Sequence, residues 1–470
     1  MAEIKQVINK SLGLKAVIFM IMTSCLGIRW IPVAGGLGPS AIFFWVIAAL
    51  LFFVPLSLIV IELSLNYQDN GGVYLWVKEG IGSKSGFYTA WFYWVNNVFY
   101  YPGLLTFIAV NLAYLIGDHS LADNPHFVVG VVIVCFWGAV FFNIAGVHLI
   151  AKIATLSGLM NFRLGLFVII AGVYYLLYHG NSATHFHLHA FLPQKDLFHS
   201  LSSVTMLMLA LAGVELIPTL SRSIENPEKN LIKAIIIGGA LLVLLYIIGT
   251  ITLNFIMTPK ELSKTSGLVE SFYAIVYKLH WPEWMAKFIV ISLVIVEFGG
   301  LNIWLITSSI MFFQCAEKGI LPSWLQKLNA NYVPANALVA QGVMVTAIVL
   351  CTQFMPSVNT MYTVLVLMST IIYFLPFLFL SIAYIRLRKR KQLTKYILSD
   401  KMAKTMAALT FISILTAMCF AVIPTDDLVT KSQIFVYELE LIGGPFIFIL
   451  AGILIYKRKN LVQLDNKAKL

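Results

Sequence analysis

Two charged side chains lie in the middle of apolar runs that also carry Gly or Pro. Arg29 follows Gly27 by two residues, and Glu215 follows Gly213 by two residues. A charge at bilayer depth is unfavourable by at least ~2.5 kcal/mol, so it is normally kept only beside a cavity or a partner. Interrupted helices free N–H and C=O groups, which suit the carboxylate and ammonium of a zwitterion. These residues indicate a solute-binding site at membrane depth, with a ligand-free proline kink as the alternative.

The elements that must hold these residues are apolar helices. Of the 470 residues, 60% are hydrophobic and 11% are charged, whereas a soluble domain has roughly 25% charged residues. A helix needs about 20 apolar residues to cross a membrane. Stretches of this kind lie at 14–34, 41–65, 87–116, 127–147, 153–178, 200–220, 233–257, 286–315, 337–355, 361–385, 405–424 and 438–456. We therefore predict an all-α integral membrane protein with twelve transmembrane helices.

The basic residues that give the net charge of +11 are predicted to lie mainly on one side of the membrane. Most of the 32 Lys and Arg fall in segments that face the cytoplasm if both termini are inside, above all the run from Arg386 to Lys391. This is the positive-inside pattern of membrane proteins. It predicts a cytoplasmic-membrane protein with cytoplasmic N- and C-termini and contacts with anionic lipids at the cytoplasmic face. It also argues against nucleic acid as a partner.

The first five spans align with the next five, because each set begins with an interrupted helix. Gly27 with Pro32 marks the first interruption, and Gly213 with Pro218 marks the second. The pattern predicts a five-plus-five inverted repeat with broken helices 1 and 6. The predicted units are 1–178 (first repeat), 179–199 (external loop), 200–385 (second repeat), 386–404 (basic cytoplasmic loop), 405–456 (two peripheral helices) and 457–470 (short cytoplasmic tail).

The residue pattern gives no support for an enzyme, a cofactor or a metal site. The five Cys lie within or at the ends of apolar spans without CxxC spacing. The alternating histidines of the external loop lack carboxylate or Cys ligands at defined spacing, so we interpret them as a solvated loop. Dispersed Ser, His and Asp residues form no nucleophile elbow, P-loop or HExxH motif.

Several short stretches, in order and spacing, resemble the amino acid/polyamine/organocation transporters, and within them the bacterial glutamate/GABA antiporter group. They are Asp-Asn-Gly-Gly-Val-Tyr-Leu-Trp-Val at 69–77, Gly-Val-Glu at 213–215, Glu-Asn-Pro at 225–227, Ala-Glu-Lys-Gly-Ile-Leu-Pro at 316–322, Val-Pro-Ala at 333–335 and Ile-Pro-Thr-Asp-Asp at 423–427. The resemblance spans nearly the whole chain. It implies a LeuT-like fold in a bacterial inner membrane and coupled exchange of one amino acid for another or for its decarboxylation product.

The resemblance also implies a substrate-binding site. Its broken span 1 would hold the amino and carboxyl groups of the substrate with Ser24, Cys25, Leu26 and Gly27. Gly213 and Glu215 match the break of span 6, Trp304 matches a span 8 aromatic that closes over the substrate, and Tyr373 matches a pocket tyrosine. An aromatic and amide cluster in span 3, interrupted by Pro102, adds Asn97 as a further candidate.

Four positions depart from the relatives. Arg29 stands where the glutamate/GABA antiporter has a tyrosine, Phe377 replaces a second pocket tyrosine, and Gly300 replaces a carboxylate. Leu209 replaces the tryptophan on which arginine/agmatine antiporters stack a guanidinium, which argues against that substrate pair.

Each buried charge has two interpretations. Glu215 could bind a proton near mildly acidic pH, or it could only cap the broken helix. Arg29 could hold the side-chain carboxylate of an acidic substrate, or it could pair with Glu297, two turns before Trp304, and lock one conformation. Trp304 could cover the substrate or serve only in packing.

These patterns predict a secondary active amino acid antiporter that works by alternating access. Glutamate or a related amino acid exchanged for GABA is the expected pair. A proton-coupled uptake permease for neutral or cationic amino acids and a non-transporting amino acid sensor remain alternatives. No oligomeric state is predicted.

Overall fold

The computed structural model describes residues 13–67, 72–145, 147–193, 201–216, 224–262, 266–316, 323–330, 333–352, 355–424 and 430–468. Pro218, the side chain of Ser24 and parts of the connecting motifs, among them 69–71, 317–322 and 425–427, lie outside the described part of the chain.

The described chain is built of helices. In order they are α1 (Leu14–Cys25), α2 (Trp30–Gly35), α3 (Gly38–Asn66), α4 (Gly72–Gly80), α5 (Ser83–Ile116), α6 (Pro125–Ala145), α7 (Val147–His179), α8 (Leu201–Ala210), α9 (Pro227–Ile256), α10 (Gly267–Lys278), α11 (Glu283–Ala316), α12 (Ala335–Thr352), α13 (Val358–Lys389), α14 (Asp400–Ala421) and α15 (Lys431–Ala468).

Ten helices in the described residues are long and apolar enough to cross a membrane, as judged by length and composition. They are α3, α5, α6, α7, α9, α11, α12, α13, α14 and α15. The first and sixth predicted spans contain α1 and α8, which are too short because both end at an interruption. The chain is thus an all-helical, multi-pass membrane protein.

The ends of the long helices follow their local sequence. α13 starts where the Ser357 hydroxyl accepts the Thr360 N–H at 3.0 Å. It continues past the predicted end at 385, with basic residues in a last turn whose carbonyls favour positive charge. α5 ends at Gly117, whose left-handed φ of +90° favours glycine.

Pro102 lies inside α5 without interrupting it. The helix continues through Pro102 from Ser83 to Ile116 and contains the predicted single span of 87–116. Proline is tolerated inside membrane helices when the surrounding protein supports the backbone, and α5 packs closely against both α11 and α13. Its polar side chains therefore stay on one continuous helix in the centre of the bundle.

At one end of the bundle, a buried carboxylate ties the basic loop of 386–404 to α3. Glu62 is fully buried, and its Oε1 accepts from Arg388 of α13 and, at 3.0 Å, from the Tyr384 hydroxyl. Its Oε2 accepts the N–H groups of Ile397 and Leu398 at 3.0 and 3.1 Å. The loop is thereby fixed across the ends of α3 and α13.

Candidate functional site

The first interruption separates α1 from α2. α1 ends at Cys25, and Leu26 has an extended backbone with φ −77° and ψ 113°. The freed backbone groups bond to side chains of other helices. The Gly27 N–H donates to the Tyr246 hydroxyl at 2.9 Å, and the Leu26 carbonyl accepts from Asn161 at 2.5 Å. The interruption is therefore part of a packed, hydrogen-bonded structure.

The second interruption follows α8, which ends at Ala210. Gly213 has a φ of +117°, which a glycine adopts without strain, and its N–H donates to Glu215 Oε2 at 3.0 Å. The Tyr246 hydroxyl lies 3.0 Å from the Cys25 carbonyl and 3.2 Å from the Ala210 carbonyl. A single tyrosine of α9 thus contacts both interruptions.

Tyr246 is held in place by its own neighbours. Its ring stacks on Trp45 of α3, with the centroids 4.5 Å apart and the planes 3° from parallel. The Trp45 indole N–H in turn donates to the Thr250 hydroxyl at 3.1 Å. The ring that carries the Tyr246 hydroxyl is therefore held between its own helix, α9, and α3.

The carboxylate of Glu215 accepts hydrogen bonds from side chains of two further helices. The hydroxyls of Tyr93 (α5) and Tyr373 (α13) both donate to its Oε1, while Gly213 donates to Oε2. The two tyrosine rings lie 5.4 Å apart, and Phe377 meets Tyr373 edge to face at 5.1 Å. Three donors on a fully buried carboxyl satisfy the ionised form of that group.

Arg29, the last residue of the first interruption before α2, forms a second cluster. Its guanidinium donates to Glu297 of α11 at 2.5 Å and to the Tyr100 hydroxyl of α5. The guanidinium carbon lies 4.7 Å from the ring centroid of Trp30 and 5.4 Å from that of Tyr100. The ion pair considered from the sequence is present, and both charges are almost fully buried.

Asn97 lies between the two clusters on α5. It is four residues after Tyr93 and three before Tyr100, so the three side chains share one helix face over roughly 10 Å. Its amide N–H donates to the Tyr93 carbonyl at 3.0 Å. Its Oδ1 is buried and has no hydrogen-bond partner among the described residues, which leaves an acceptor available to a donor group of a solute. Trp304 borders the Arg29 cluster, with its ring centroid 5.9 Å from that of Tyr100.

The structure brings most residues selected from the sequence to the two interruptions. Cys25, Leu26, Gly27 and Arg29 lie at the first, and Gly213 and Glu215 lie at the second. The helices around them carry Asn97, Glu297, Trp304 and Tyr373. Ser24 lies in the last turn of α1. Contact of these residues with a substrate stays a prediction.

Sequence reasoning missed two residues of this region, Tyr246 and Asn161, which bond the broken backbone. It placed Tyr93 and Tyr100 in the aromatic and amide cluster of span 3 but assigned neither its partner, which is Glu215 for Tyr93 and Arg29 for Tyr100. Neither Tyr246 nor Asn161 carries a signal in the sequence that links it to an interruption, because both are neutral and Asn161 stands only two residues before Arg163.

Comparison with known proteins places this arrangement in a family. The family model described as amino acid permease matches residues 12–451. An uncharacterized transporter of Legionella pneumophila is 28% identical over 457 residues, which cover 96% of this chain and 98% of the relative. A probable agmatine/putrescine antiporter of Lactococcus lactis is 28% identical over 442 residues (93% of this chain, 92% of the relative). A glutamate/gamma-aminobutyrate antiporter of Lactococcus lactis is 24% identical over 427 residues (88% and 84%).

Proposed function

The chain belongs to the amino acid permease family, and from that premise we propose that it is a secondary active antiporter that exchanges one amino acid for another. Glutamate, or a related amino acid, and GABA form the leading substrate pair. The exchange would take place in a bacterial inner membrane, with both termini in the cytoplasm.

The observation that carries the proposal is the pair of interrupted helices joined through Tyr246. A soluble or purely structural helix bundle has no need for two interruptions at one depth, whereas transporters use half-helix ends to hold the charged groups of a substrate. At the interruptions the bare backbone of Gly27 lies beside Arg29, and that of Gly213 lies beside Glu215. This supports binding of an amino acid whose amino and carboxyl groups meet the broken backbone.

We propose a LeuT-like arrangement of twelve crossings, in which α1 with α2 and α8 with the chain after it count as the broken helices 1 and 6. The moving part would comprise spans 1, 2, 6 and 7, and the scaffold spans 3–5 and 8–10. The contacts support this division, because Glu215 meets Tyr93 and Tyr373, and Arg29 meets Glu297, across that boundary. Alternating access would break and re-form these contacts.

For Glu215, both interpretations from the sequence have support. The cap exists, because Oε2 accepts the Gly213 N–H. The two tyrosine donors come from α5 and α13, on the other side of the proposed boundary, so a proton on Glu215 would weaken contacts that hold the two parts together. We propose that Glu215 couples protonation to opening of the site.

Uptake of radiolabelled glutamate into proteoliposomes tests the exchange. The vesicles are loaded with GABA, glutamate, arginine or buffer alone, at pH 5.5 and 7.5. Uptake should require internal GABA or glutamate. Uptake into empty vesicles driven by external acid would favour the proton-coupled permease, and absence of flux with any amino acid would favour the sensor.

A further inference from the structure

The guanidinium of Arg29 lies in surroundings that fit a bound cation. It faces a carboxylate, Glu297, and the faces of two aromatic rings, Trp30 and Tyr100, at 4.7 and 5.4 Å from its central carbon. A buried carboxylate together with aromatic faces is the combination by which proteins bind guanidinium and ammonium groups. Here the chain itself supplies the cation.

Glycine at position 27 makes room for the Trp30 ring beside this guanidinium. A Cβ atom at Gly27 would lie 3.5 Å from Arg29 Nη1 and 2.9 Å from the Trp30 ring. The bare backbone of the first interruption therefore forms one wall of the space that holds the Arg29 head group. This space adjoins the backbone groups at which we expect an amino acid to bind.

We propose that Arg29 is a tethered cation that fills a cation-binding cage, formed by Glu297, Trp30 and Tyr100, and thereby excludes cationic solutes from the site. With Arg29 in place, the charge of Glu297 is matched, and a second cation would approach a like charge. The inference rests on the proposed exchange function and deepens it. The substrates would be zwitterionic or acidic amino acids, and solutes with a guanidinium or a second amine would be rejected.

Truncation of Arg29 should turn the occupied cage into a binding site. In Arg29→Ala the carboxylate of Glu297 loses its cation and remains buried, which is strongly unfavourable. A small external cation that enters the cage should restore the pair and stabilise the folded protein, since any ligand that binds only the folded state raises its melting temperature.

The first test is thermal unfolding of the purified protein in detergent with millimolar guanidinium chloride, compared with the same concentration of sodium chloride. Guanidinium should raise the melting temperature of Arg29→Ala by several degrees and leave wild type unchanged. The rise should vanish in Arg29→Ala/Glu297→Gln, which lacks the carboxylate. Equal effects on wild type and Arg29→Ala, or a rise that persists in the double variant, would overturn the cage.

If Arg29→Ala gives no monodisperse peak on size exclusion, the same comparison is made during extraction. Guanidinium chloride present from cell lysis onward should recover the peak, and sodium chloride should not. Failure of guanidinium to recover it, while Arg29→Lys yields folded protein, would contradict the proposal.

The second test is uptake of radiolabelled agmatine into agmatine-loaded proteoliposomes. Arg29→Ala should take up agmatine at least about tenfold faster than wild type and Arg29→Lys. A tenfold change corresponds to ~1.4 kcal/mol of binding free energy. Agmatine uptake by wild type at the rate of Arg29→Ala would contradict the exclusion. Because guanidinium binding is measured without transport, a failure of glutamate/GABA exchange would overturn the proposed function and leave the cage to be judged on its own.

Discussion

Glu215 and Arg29 are both charged groups far from water, and the protein accommodates them in different ways. Arg29 pairs with the carboxylate of Glu297, so this cluster carries no net charge. Glu215 is bonded instead by two tyrosine hydroxyls and one backbone N–H, which are neutral donors. Of the two, Glu215 is therefore the group to which we assign, as a proposal, the response to a proton or to the ammonium of a substrate.

Replacement of Glu215 by glutamine should flatten the pH dependence of exchange between pH 5.5 and 7.5, because an amide keeps the shape of the side chain and cannot take up a proton. The measurement is the initial rate of glutamate/GABA exchange at both pH values. Glu283→Gln, at the exposed start of α11, is the matched control and should retain the wild-type profile. A Glu215→Gln profile that follows the wild type would exclude the proton role.

A methyl group at position 27 should damage the site. The Cβ of Gly27→Ala would lie 2.9 Å from the Trp30 ring, so the indole must shift and disturb Arg29. We expect a loss of about 1–3 kcal/mol of stability from overpacking and a lower exchange rate. In contrast, the Cβ of Gly300→Ala on α11 meets nothing within 4 Å. This control should keep full activity, and equal losses in both variants would refute the steric explanation.

At the scale of elements, the helix interruptions are held by other helices. Tyr246 of α9 bonds the backbone of both interruptions, and Asn161 of α7 bonds the first. Because these bonds replace those that a continuous helix would make, the interruptions can exist in an apolar medium that offers no other partner. A change in the tilt of α9 would therefore act on both interruptions at once.

The Glu62 cluster at the end of the bundle should matter for stability more than for substrate binding. Glu62→Gln leaves Arg388 without its buried carboxylate and weakens the contacts of Glu62 with the loop at Ile397 and Leu398. We expect a loss of about 3 kcal/mol or more, as for other broken buried ion pairs, measured as a lower melting temperature in detergent.

The exposed Lys287–Glu283 pair on α11, with its charged atoms 3.1 Å apart, gives the control. Lys287→Gln should change stability by less than about 1 kcal/mol. A Glu62→Gln variant as stable as Lys287→Gln would show that the loop of 386–404 is held by other contacts.

At the scale of the whole molecule, the sequence predicted the helices well, because apolar length alone decides which segments fit a membrane. Ten of the predicted spans have a long apolar helix in the described residues, and the two remaining ones carry the interruptions. The span through Pro102 stayed a single helix, because α5 is packed between α11 and α13.

The site was predicted in part for a similar reason. A charge at membrane depth is so unfavourable that it normally has a partner, and for Arg29 this consideration led to Glu297 as a candidate. Neutral partners carry no such signal. Tyr246 is 219 residues away from Gly27, and Asn161 is 135 residues from Leu26, so only the packing of the helices reveals that they support the interruptions.

The most direct test of the central claim, that the substrate binds at the interrupted helices, is the reactivity of Cys25. This residue ends α1 at the first interruption and is buried. In a variant that exchanges amino acids and retains Cys25 as its only cysteine, a small methanethiosulfonate reagent is applied with and without saturating substrate. We predict that Cys25 reacts and that the substrate slows the reaction severalfold. Reaction at the same rate with and without substrate, or no reaction in actively exchanging protein, would contradict the location of the site.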